Sequence, residues 1–600
     1  MEKNTKLSTY EKKQETKQES KGKKEDKQNK QNSKKVISAE ELAKQQRDIS
    51  IAEFFEKNRH LLGFDNPRKA LLTTLKEAVD NALDACEEAR ILPDINIEII
   101  DMGNDRFKII VEDNGPGIVR EQIPKIFAKL LYGSKFHRLR QSRGQQGIGI
   151  SAAVLYSQLT TGRPTKIISK TASNKPAHYF ELRINTQTNS PEIIKDEIKD
   201  WTGKDHGTKI ELDLEASYLK GNQSVDEYIK QTAIANPHCQ IIYSTPKAEP
   251  LIFPRGIDHL PKEPKEIKPH PYGLELGILM KLLNKTSTRT LQAFLMQDLS
   301  RVGAETAKEI CANALIAPET KPKSLQMQDA EKLINAIKKT KIMNPSTDCI
   351  SPIGEEALEK SIKKEINAEF YCSITRSPSV YRGNPFQIEV AVAYGGDQPK
   401  DKPISLLRFA NRVPLMYQQG ACAITKSVMT TNWKPYGLNQ SGDSMPIGPL
   451  TILVHMASVW VPFTSESKEA IAQYPEIIKE IKLALQEAGR KLQAYVHKKN
   501  RVGEELKKRG YIEKYIPHIA SALIELLDLK KSEEVEIESK LKELLEQHRG
   551  KVDSMEFDES KNVEYDEELA KIGSKIKSED AYFSEYEEGE ENRDKGKEDE

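Results

Sequence analysis

A carboxylate and a carboxamide at helical spacing are the first residues in this chain that could do chemistry. Asn66-Pro67 is typical of a helix start, and apolar residues recur at helical spacing from Leu71 to about Ala89. Glu77 and Asn81 lie four positions apart and therefore share one face of that predicted helix. A carboxylate there can accept a proton from an attacking water, and an amide oxygen can bind Mg²⁺. An exposed acidic face is the simpler interpretation of this pair alone.

The second group of candidate residues follows a predicted β-hairpin. Ile95–Ile99 and Phe107–Val111 alternate apolar and polar residues across a short turn. Asp113 comes directly after them, and the following Asn-Gly-Pro-Gly cannot continue a strand. We expect Asp113 at the end of the strand beside Gly115 and Gly117, where a flat base can approach and donate to the carboxylate. An ordinary tight turn is the alternative for this segment alone.

A third segment is rich in glycine and stands before a helix. Gly144-Gln145-Gln146-Gly147-Ile148-Gly149 precedes a predicted helix that begins near Ile150. Backbone N–H groups at such a helix start can bind phosphate. Residues 133–143 before it are polar and rich in Lys and Arg, which is typical of a mobile lid. The common nucleotide fingerprints do not match, because there is no G-x-x-x-x-G-K-[ST] and the glycines do not follow a strand in a βαβ unit.

The order of these segments identifies a family more strongly than any one of them. A helical E-x-x-D-N-x-x-D-A comes first, then D-N-G-P-G-I, then a basic segment ending in G-x-x-G-x-G, and then His206-Gly207-Thr208 before a strand. This order resembles the four nucleotide-binding motifs of the GHKL ATPases, which include gyrases, Hsp90 chaperones, MutL-type mismatch-repair ATPases and histidine kinases. The resemblance covers roughly residues 60–245.

The rest of the chain resembles one branch of that superfamily, the B subunits of the type IIB topoisomerase VI enzymes. Residues 271–345 form a compact helical segment between the ATPase motifs and a second α/β segment, in the position of the helix-two-turn-helix insert of those subunits. Further likeness lies in Lys220-Gly221, in Arg408–Leu415 and in Trp433–Gly437. Taken together, the resemblance spans about residues 40–510.

The resemblance implies a role for each matching residue. Glu77 resembles the general base, Asn81 the Mg²⁺ ligand and Asp113 the residue that binds adenine. Lys468 resembles the lysine by which the transducer domain reaches the γ-phosphate of ATP; we prefer it to Lys434 because it follows a predicted strand and a polar loop. The other predicted nucleotide contacts are Gly115, Gly117, Ser134, Lys135, Arg143, Gly144, Gln145, Gln146, Gly147, Ile148, Gly149, Ile150 and Thr208.

Two basic residues, Lys220 and Lys434, are predicted DNA contacts by the same resemblance. Lys434 lies in the Trp-Lys-x-Tyr element that such subunits use against the DNA backbone, and a solvated lysine is the alternative. Asn222-Gln223 stands after Lys220-Gly221, where related subunits often have two arginines. Two fewer positive charges weaken phosphate contacts and their salt dependence.

The function that the resemblance implies is an ATP-driven gate. Its cofactors are ATP and Mg²⁺. Its partners are a DNA-cleaving A subunit in an A2B2 heterotetramer, a second copy that dimerises through the ATPase domain on ATP binding, and double-stranded DNA. The alternative is a GHKL-type chaperone or a mismatch-repair-like ATPase clamp.

Composition excludes several other classes of protein. The 600 residues are 37 % hydrophobic and 30 % charged, without a run of eighteen apolar residues, and the six cysteines form no CxxC pair. We therefore expect several soluble domains in a reducing, cytoplasmic setting, without a membrane span, a disulfide scaffold or a secretory leader. The net charge of +1 conceals two opposite ends, since residues 1–37 hold twelve lysines against six acids and residues 552–600 hold nineteen acids against seven bases.

The predicted class is α+β and multidomain. It consists of a Bergerat-type GHKL α/β sandwich, a helix-two-turn-helix insert and a transducer α/β domain (ribosomal S5-like) with a long C-terminal helix. That helix is predicted from about Ser467 to Lys499, with breaks near Gly503 and Gly510. The predicted divisions are a disordered basic tail at 1–37, the ATPase domain with its N-terminal dimerisation strap at 38–245, a linker and the insert at 246–345, the transducer at 346–505, a helical extension at 506–551 and a disordered acidic tail at 552–600.

Overall fold

The chain divides into two units, Met1–Ser50 and Ile51–Glu600. The computed structural model describes residues 42–43, 46, 48–134, 138–144, 147–246, 249–465, 467–527 and 530–549. In the first unit, residues 42–43 are helical, while the predicted capping box at 38–41 lies outside the described residues. Both predicted tails also lie outside them.

An eight-stranded sheet forms the first layer of the second unit. Its spatial order is β5-β4-β3-β6-β2-β1-β7-β8, with β1 and β7 parallel and the other neighbours antiparallel. The predicted hairpin is confirmed as β1 and β2, whose register pairs Ile97 with Val111. The strands are β1 Asp94–Asp101, β2 Arg106–Asp113, β3 Thr165–Lys170, β4 Ala177–Asn185, β5 Ser190–Lys199, β6 Gly207–Glu215, β7 Gln240–Ser244 and β8 Leu251–Phe253.

Helices cover one face of this sheet. The predicted helix with Glu77 is α2, which begins at Pro67 because the side chain of Asn66 accepts a hydrogen bond from the Lys69 N–H at 2.9 Å. It packs on β2 and β6 and against α4 and α5, so that its apolar stripe is buried. The helices of this layer are α1 Ile51–Lys57, α2 Pro67–Glu88, α3 Ile123–Ala128, α4 Gly149–Thr161 and α5 Val225–Ala235.

The predicted helical insert is present as four helices with their own hydrophobic core. Thr290 caps one of them by accepting from the Ala293 N–H, and another begins with a capping box between Gln326 and Asp329. The four helices are α6 Leu276–Lys285, α7 Leu291–Asp298, α8 Ala304–Ala314 and α9 Met327–Lys339. Their core includes Leu279, Phe294, Ile310 and Leu333.

A six-stranded sheet forms the third part. Its order is β10-β11-β14-β12-β13, and β9 pairs with β11. Strand β14 is buried along its whole length. The elements are α10 Glu355–Glu365, β9 Phe370–Thr375, β10 Ser379–Tyr381, β11 Asn384–Tyr394, β12 Ser405–Ala410, β13 Val413–Pro414, α11 Ala423–Thr430 and β14 Leu450–Ser458.

The C-terminal helix is longer than the sequence predicts. Helix α12 runs from Pro475 to Leu527, so the predicted start at Ser467 and the predicted breaks at Gly503 and Gly510 are wrong. A glycine costs a helix only about 1 kcal/mol relative to alanine, which a long amphipathic helix absorbs. Helix α12 also crosses the predicted 505/506 division before α13, Glu534–Arg549. The other domain divisions stay predictions.

Candidate active site

A cavity of about 300 Å³ opens between α2, the end of β2 and the glycine-rich segment before α4. Glu77 and Asn81 line it from α2, as their spacing predicts, and Asp113, Thr208 and Lys468 line it from three other segments. The cavity therefore gathers residues more than 390 positions apart in sequence. The other predicted residues that line it are Gly117, Ser134, Gly144, Gly147, Gly149 and Ile150.

Glu77 lies against the start of α4. A β-carbon built on Gly149 would stand 1.6 Å from Glu77 Oε2, so only glycine lets the carboxylate and the helix start approach so closely. This contact holds a carboxylate beside the N–H groups of the first turn of α4, which have no partner inside the helix. The structure thus joins the first and third sequence motifs at one point.

Asp113 is held at the other part of the cavity by backbone groups. It ends β2, where the sheet register pairs it with Thr208 of β6. Its Oδ1 accepts from the N–H of Gly115 at 2.8 Å and from the N–H of Thr208 at 3.2 Å. Burial raises the pKa of Asp113 to about 6, although these two N–H groups favour the charged form.

The turn after Asp113 depends on a glycine. Gly117 has a φ of +70°, and a β-carbon there would meet the carbonyl oxygen of Lys170 at 2.0 Å. The neighbouring Asn114 is a structural residue, because its Oδ1 accepts from the Asp94 N–H and its amide donates to the Leu92 carbonyl. The Gly115 N–H donates to Asp113, and Gly115 is not one of the described residues that line the cavity.

Asp113 and Glu77 lie beside different parts of α2, and the distance between them can be measured along this helix. The β-carbon position of Gly115 is 3.6 Å from Ala85 Cβ, and Ala85 lies eight residues, or about 12 Å of helix, beyond Glu77. The cavity is therefore elongated, with a carboxylate near each end. Glycine backbone and a lysine complete the end at Glu77.

Lys468 reaches the cavity from the loop after β14. Its side chain is almost fully buried, and its Nζ donates to the carbonyl oxygen of Arg143 at 3.4 Å. A second cavity of about 40 Å³ adjoins the first, and Glu77, Gly149 and Lys468 line both. Space of that size is enough for a water molecule. Lys434, the alternative candidate, does not line either cavity.

Arg143 does not point its side chain into the cavity. Its guanidinium forms ion pairs with Asp84 at 2.9 Å and Glu87 at 2.6 Å, on the side of α2 that faces the second sheet. The predicted nucleotide contact of Arg143 is therefore corrected to a contact of its backbone carbonyl with Lys468. The sequence alone does not indicate the direction of a basic side chain that stands next to a glycine-rich loop.

Some predicted residues have other positions. Ile148 lines the smaller cavity rather than the larger one, and Ser134 lines the larger one from the lid. Lys135, Gln145 and Gln146 lie outside the described residues.

Sequence reasoning missed the apolar wall of the cavity. Ile118 ends the second motif, Ile126, Phe127 and Tyr132 follow before the lid, and all four line the cavity. Their signal in the sequence is weak, because apolar residues on a short helix are normally assigned to a core. They give the base end of the cavity an apolar surface, which suits a flat aromatic ligand.

The two predicted DNA contacts lie elsewhere on the molecule. Lys220 is exposed in the loop between β6 and α5, and Lys434 is exposed in a single helical turn after α11. Trp433 beside it is fully buried, with its indole N–H donating to the Val428 carbonyl. Tyr436 packs on Gly489 of α12. The Trp and Tyr of this element thus fix the turn that presents Lys434.

Neither a metal cluster nor a membrane span is found in the described part of the chain. No group of three or more His, Cys, Asp or Glu side chains there could hold a metal ion. No helix among the described residues is long and apolar enough to cross a membrane.

Two family models match separate parts of the chain. Residues 66–215 match the histidine kinase-, DNA gyrase B- and HSP90-like ATPase model, and residues 345–508 match the model of the topoisomerase VI B subunit transducer. The predicted α+β fold, with a GHKL ATPase part, a transducer part and a long C-terminal helix, is confirmed. A nucleotide-binding function for residues 66–215 follows from the first match.

Whole-chain relatives extend these matches. The B subunit of type 2 DNA topoisomerase 6 from Methanosarcina barkeri is 55 % identical over 491 residues, which cover 82 % of this chain and 79 % of that protein. Its counterpart from Archaeoglobus fulgidus is 51 % identical over 483 residues, which cover 80 % of each. A crystal structure of the DNA gyrase B subunit of Myxococcus xanthus aligns with 74 % of this chain and 95 % of its own at 11 % identity, with a TM-score of 0.37. From the relatives, rather than from that distant alignment, we conclude that the chain belongs to the family of type 2 DNA topoisomerase 6 B subunits.

Proposed function

We propose that the cavity binds ATP with its base at Asp113 and its γ-phosphate at Glu77. The elongated shape supports this orientation, because Asp113 lies beside Ala85, about two helical turns along α2 from Glu77. Asp113 Oδ1 is occupied by two backbone N–H groups, which leaves Oδ2 to accept from the exocyclic amine of adenine. Thr208 and the apolar wall with Phe127 enclose the base.

The phosphates would lie against the glycine-rich segment. Gly144, Gly147 and Gly149 line the cavity beside the N-terminus of α4, where N–H groups and the helix dipole favour anions. We assign Gln145 and Gln146 to the same cradle, and Ser134 and Lys135 to the lid. Lys468 would add a positive charge at the γ-phosphate.

Asn81 is the proposed ligand of Mg²⁺. The residues present suit this ion, because one amide oxygen lines the cavity next to the phosphate end and Mg²⁺ commonly takes only one or two protein ligands together with phosphate oxygens and water. A bound Mg²⁺ would neutralise negative charge on the phosphates.

Glu77 is the proposed general base. The observation that carries this assignment is that Glu77, Gly149 and Lys468 line both the main cavity and the adjoining water-sized one. A water in the smaller space would stand between the carboxylate and the γ-phosphate. Glu77 would accept its proton as the oxygen attacks the γ-phosphorus and the bond from that phosphorus to the bridging oxygen breaks, so that ADP leaves, while Lys468 and the N–H groups of α4 stabilise the charge on the transferred group.

Hydrolysis would then act as a switch between domains. Lys468 belongs to the segment after the second sheet, whereas Glu77 belongs to α2. The contact of Lys468 with the γ-phosphate would end at hydrolysis, because that phosphate is then cleaved from the nucleotide. We propose that ATP binding dimerises the ATPase domain and that the transducer passes this closure to a DNA-cleaving A subunit. The complete enzyme would be an A2B2 heterotetramer in the cytoplasm that passes one DNA duplex through another, with Lys220 and Lys434 contacting DNA.

Relaxation of supercoiled plasmid by this chain together with its A subunit tests the function. We expect relaxation that requires ATP, and an ATPase rate that rises when duplex DNA is added. ATP hydrolysis that is indifferent to DNA, without relaxation, would contradict the proposal and favour a chaperone-like ATPase.

Glu77→Gln and Glu77→Ala test the mechanism separately. We expect nucleotide binding and dimerisation to persist while kcat falls by about 10²–10⁴-fold, the usual contribution of a general base. Gly149→Ala should also lower kcat, because its methyl group displaces the Glu77 carboxylate. Glu98→Gln, at an exposed position of β1, is the matched control. Full activity in Glu77→Gln would remove Glu77 from this role.

A further inference from the structure

The residue directly after Lys468 forms a buried ion pair with the start of α2. Glu469 Oε1 lies 2.6 Å from Lys69 Nζ, and the two side chains are only 6 % and 11 % exposed. Lys69 Nζ also lies 2.8 Å from Asp65, a more exposed carboxylate just before α2. The ion pair therefore joins the loop of Lys468 to the helix that carries Glu77.

This pair is shielded from water by its neighbours. The Lys69 ammonium stands 5.5 Å from the centre of the Tyr417 ring, within cation–π range. On the other side of the loop, Ser467 lies close to Gly63, just before Asp65. A pair in such surroundings is screened far less than one at the surface.

The backbone of Lys468 has an unfavourable conformation that contacts of the surrounding loop must hold in place. Lys468 has a φ of +52°, a left-handed conformation that a lysine adopts only when its surroundings hold it. Within the loop, the Lys468 N–H donates to the Ser465 carbonyl and the Thr464 N–H donates to the Ala470 carbonyl. These bonds shape the loop itself, whereas the Glu469 side chain attaches it to α2.

We propose that Lys69 and Glu469 are positioning residues for Lys468, which hold its ammonium at the phosphate end of the cavity. Adjacent α-carbons are 3.8 Å apart, so fixing Glu469 against α2 restricts where Lys468 can reach. Lys69 and Glu77 share α2, so the pair holds the loop in register with the general base. This inference rests on the proposed contact of Lys468 with the γ-phosphate.

The pair should act on recognition of the γ-phosphate and not on the rest of the nucleotide. ADP lacks the γ-phosphate, so its affinity does not depend on the proposed contact of Lys468. The ratio of the Kd for ADP to the Kd for a non-hydrolysable ATP analogue therefore measures how well Lys468 is placed. A general loss of structure would weaken both nucleotides together.

The test compares this ratio in the full-length wild-type chain, Lys69→Met, Lys69→Arg, Glu469→Gln and Lys468→Met. We expect Lys69→Met to lower the ratio about tenfold while the Kd for ADP stays unchanged, the scale of losing one charge-assisted hydrogen bond. Lys69→Arg should retain most of the ratio because it keeps the charge, and Glu469→Gln should lie between the two. Lys308→Met, which removes an exposed ion pair on α8, is the control.

Each result decides between defined outcomes. An unchanged ratio in Lys69→Met and Glu469→Gln would overturn the inference, and so would an equal loss of ADP and ATP-analogue binding. A loss in Lys69→Arg as large as in Lys69→Met would also overturn it. Lys468→Met distinguishes the proposed function from this inference. If Lys468→Met leaves the ratio unchanged, the proposed role of Lys468 fails. If Lys468→Met is the only variant that lowers the ratio, only the inference about Lys69 and Glu469 fails.

Discussion

Helix α2 meets the segments that follow the insert at both of its ends, and the two contacts are built differently. At its start, Lys69 pairs with Glu469, and Asp65 is a second partner of Lys69. At its end, Glu87 is shared by Arg143, His238 and Arg412, with distances of 2.6, 2.7 and 3.5 Å. Among the described residues, the start of α2 thus has one ion pair between the two parts beside a cation–π contact of Lys69 with Tyr417, whereas the end has a network of ion pairs.

The network at the end of α2 reaches deep into the second sheet. The Arg412 guanidinium also donates to the Ser351 carbonyl and hydroxyl, and its backbone N–H donates to His455 Nε2. His455 in turn lies 2.7 Å from Glu389, with both side chains fully buried. Many bonds must break together for this end to separate, while the start of α2 can release Glu469 at the loss of one pair. We therefore expect the end of α2 to be the more firmly held of the two and the loop of Lys468 to separate more readily.

Glu87→Gln should produce the largest effect. It leaves two buried arginines without their shared carboxylate, and removing one partner of a buried pair typically costs about 3–5 kcal/mol. We expect a loss of that size in the free energy of unfolding, measured by urea titration. Glu88→Gln, at a half-exposed neighbour paired with Arg140, should cost less than about 1 kcal/mol. Equal losses in the two variants would mean that the network is not a fixed point.

The network should also make the protein sensitive to acid. Burial alone would raise the pKa of Glu87, but Arg143, His238 and Arg412 outweigh it and hold that pKa well below its ordinary value of 4.5. Burial also lowers the pKa of His238 from 6.5, more than Glu87 raises it.

Both shifts have the same consequence for stability. The unfolded chain binds protons more readily at both groups, so stability decreases as pH falls below 6.5 and decreases further below 4.5. Below pH 4.5, the melting temperature of Glu87→Gln should fall less steeply than that of the wild type, because the variant lacks this carboxylate. Parallel curves for the two proteins would contradict this assignment.

Nucleotide binding should have its own pH dependence, which comes from Asp113. Burial raises its pKa to about 6, and its protonated form has a donor where the adenine amine needs an acceptor. ADP affinity should therefore be constant well above the pKa and weaken by about tenfold at one pH unit below it. Isothermal titration between about pH 5 and 8 measures this, and a pH-independent Kd in the wild type would refute it. In Asp113→Asn, binding should be weak at every pH.

Glu469→Gln should have the smallest effect on stability. Lys69 keeps Asp65 as a partner, and glutamine can still accept a hydrogen bond, so we expect a loss of about 1 kcal/mol or less in the free energy of unfolding. This variant and Glu87→Gln are measured in the same urea titration. A loss as large as that of Glu87→Gln would mean that both ends of α2 are equally fixed, which would remove the distinction between them.

Local patterns in the sequence predict the elements that carry the site. The helical spacing of Glu77 and Asn81, the hairpin that ends at Asp113 and the glycines before α4 all depend on residues near one another in the chain. Lys468 is predicted because its surroundings match a family pattern. The direction of the Arg143 side chain, the Lys69–Glu469 pair and the apolar wall at Phe127 are not predicted, since each depends on which distant surfaces pack together. The continuous α12 is missed for another reason: two glycines are weak breaks in a long amphipathic helix.

Helix α12 is anchored along only part of its length. Buried residues recur from Ile477 to Val496, where the helix packs on β9 and β11, and about 45 Å of helix follows from there to Leu527. In that second part Ile516 and Ala520 are buried and α13 packs on the helix. A rod held at one end magnifies small rotations of its base, and a tilt of about 10° would displace a tip that far away by about 8 Å. If a shift near Lys468 tilted the helix by this angle, Leu527 would move farther than the distance between two neighbouring β-strands, which is about 4.8 Å.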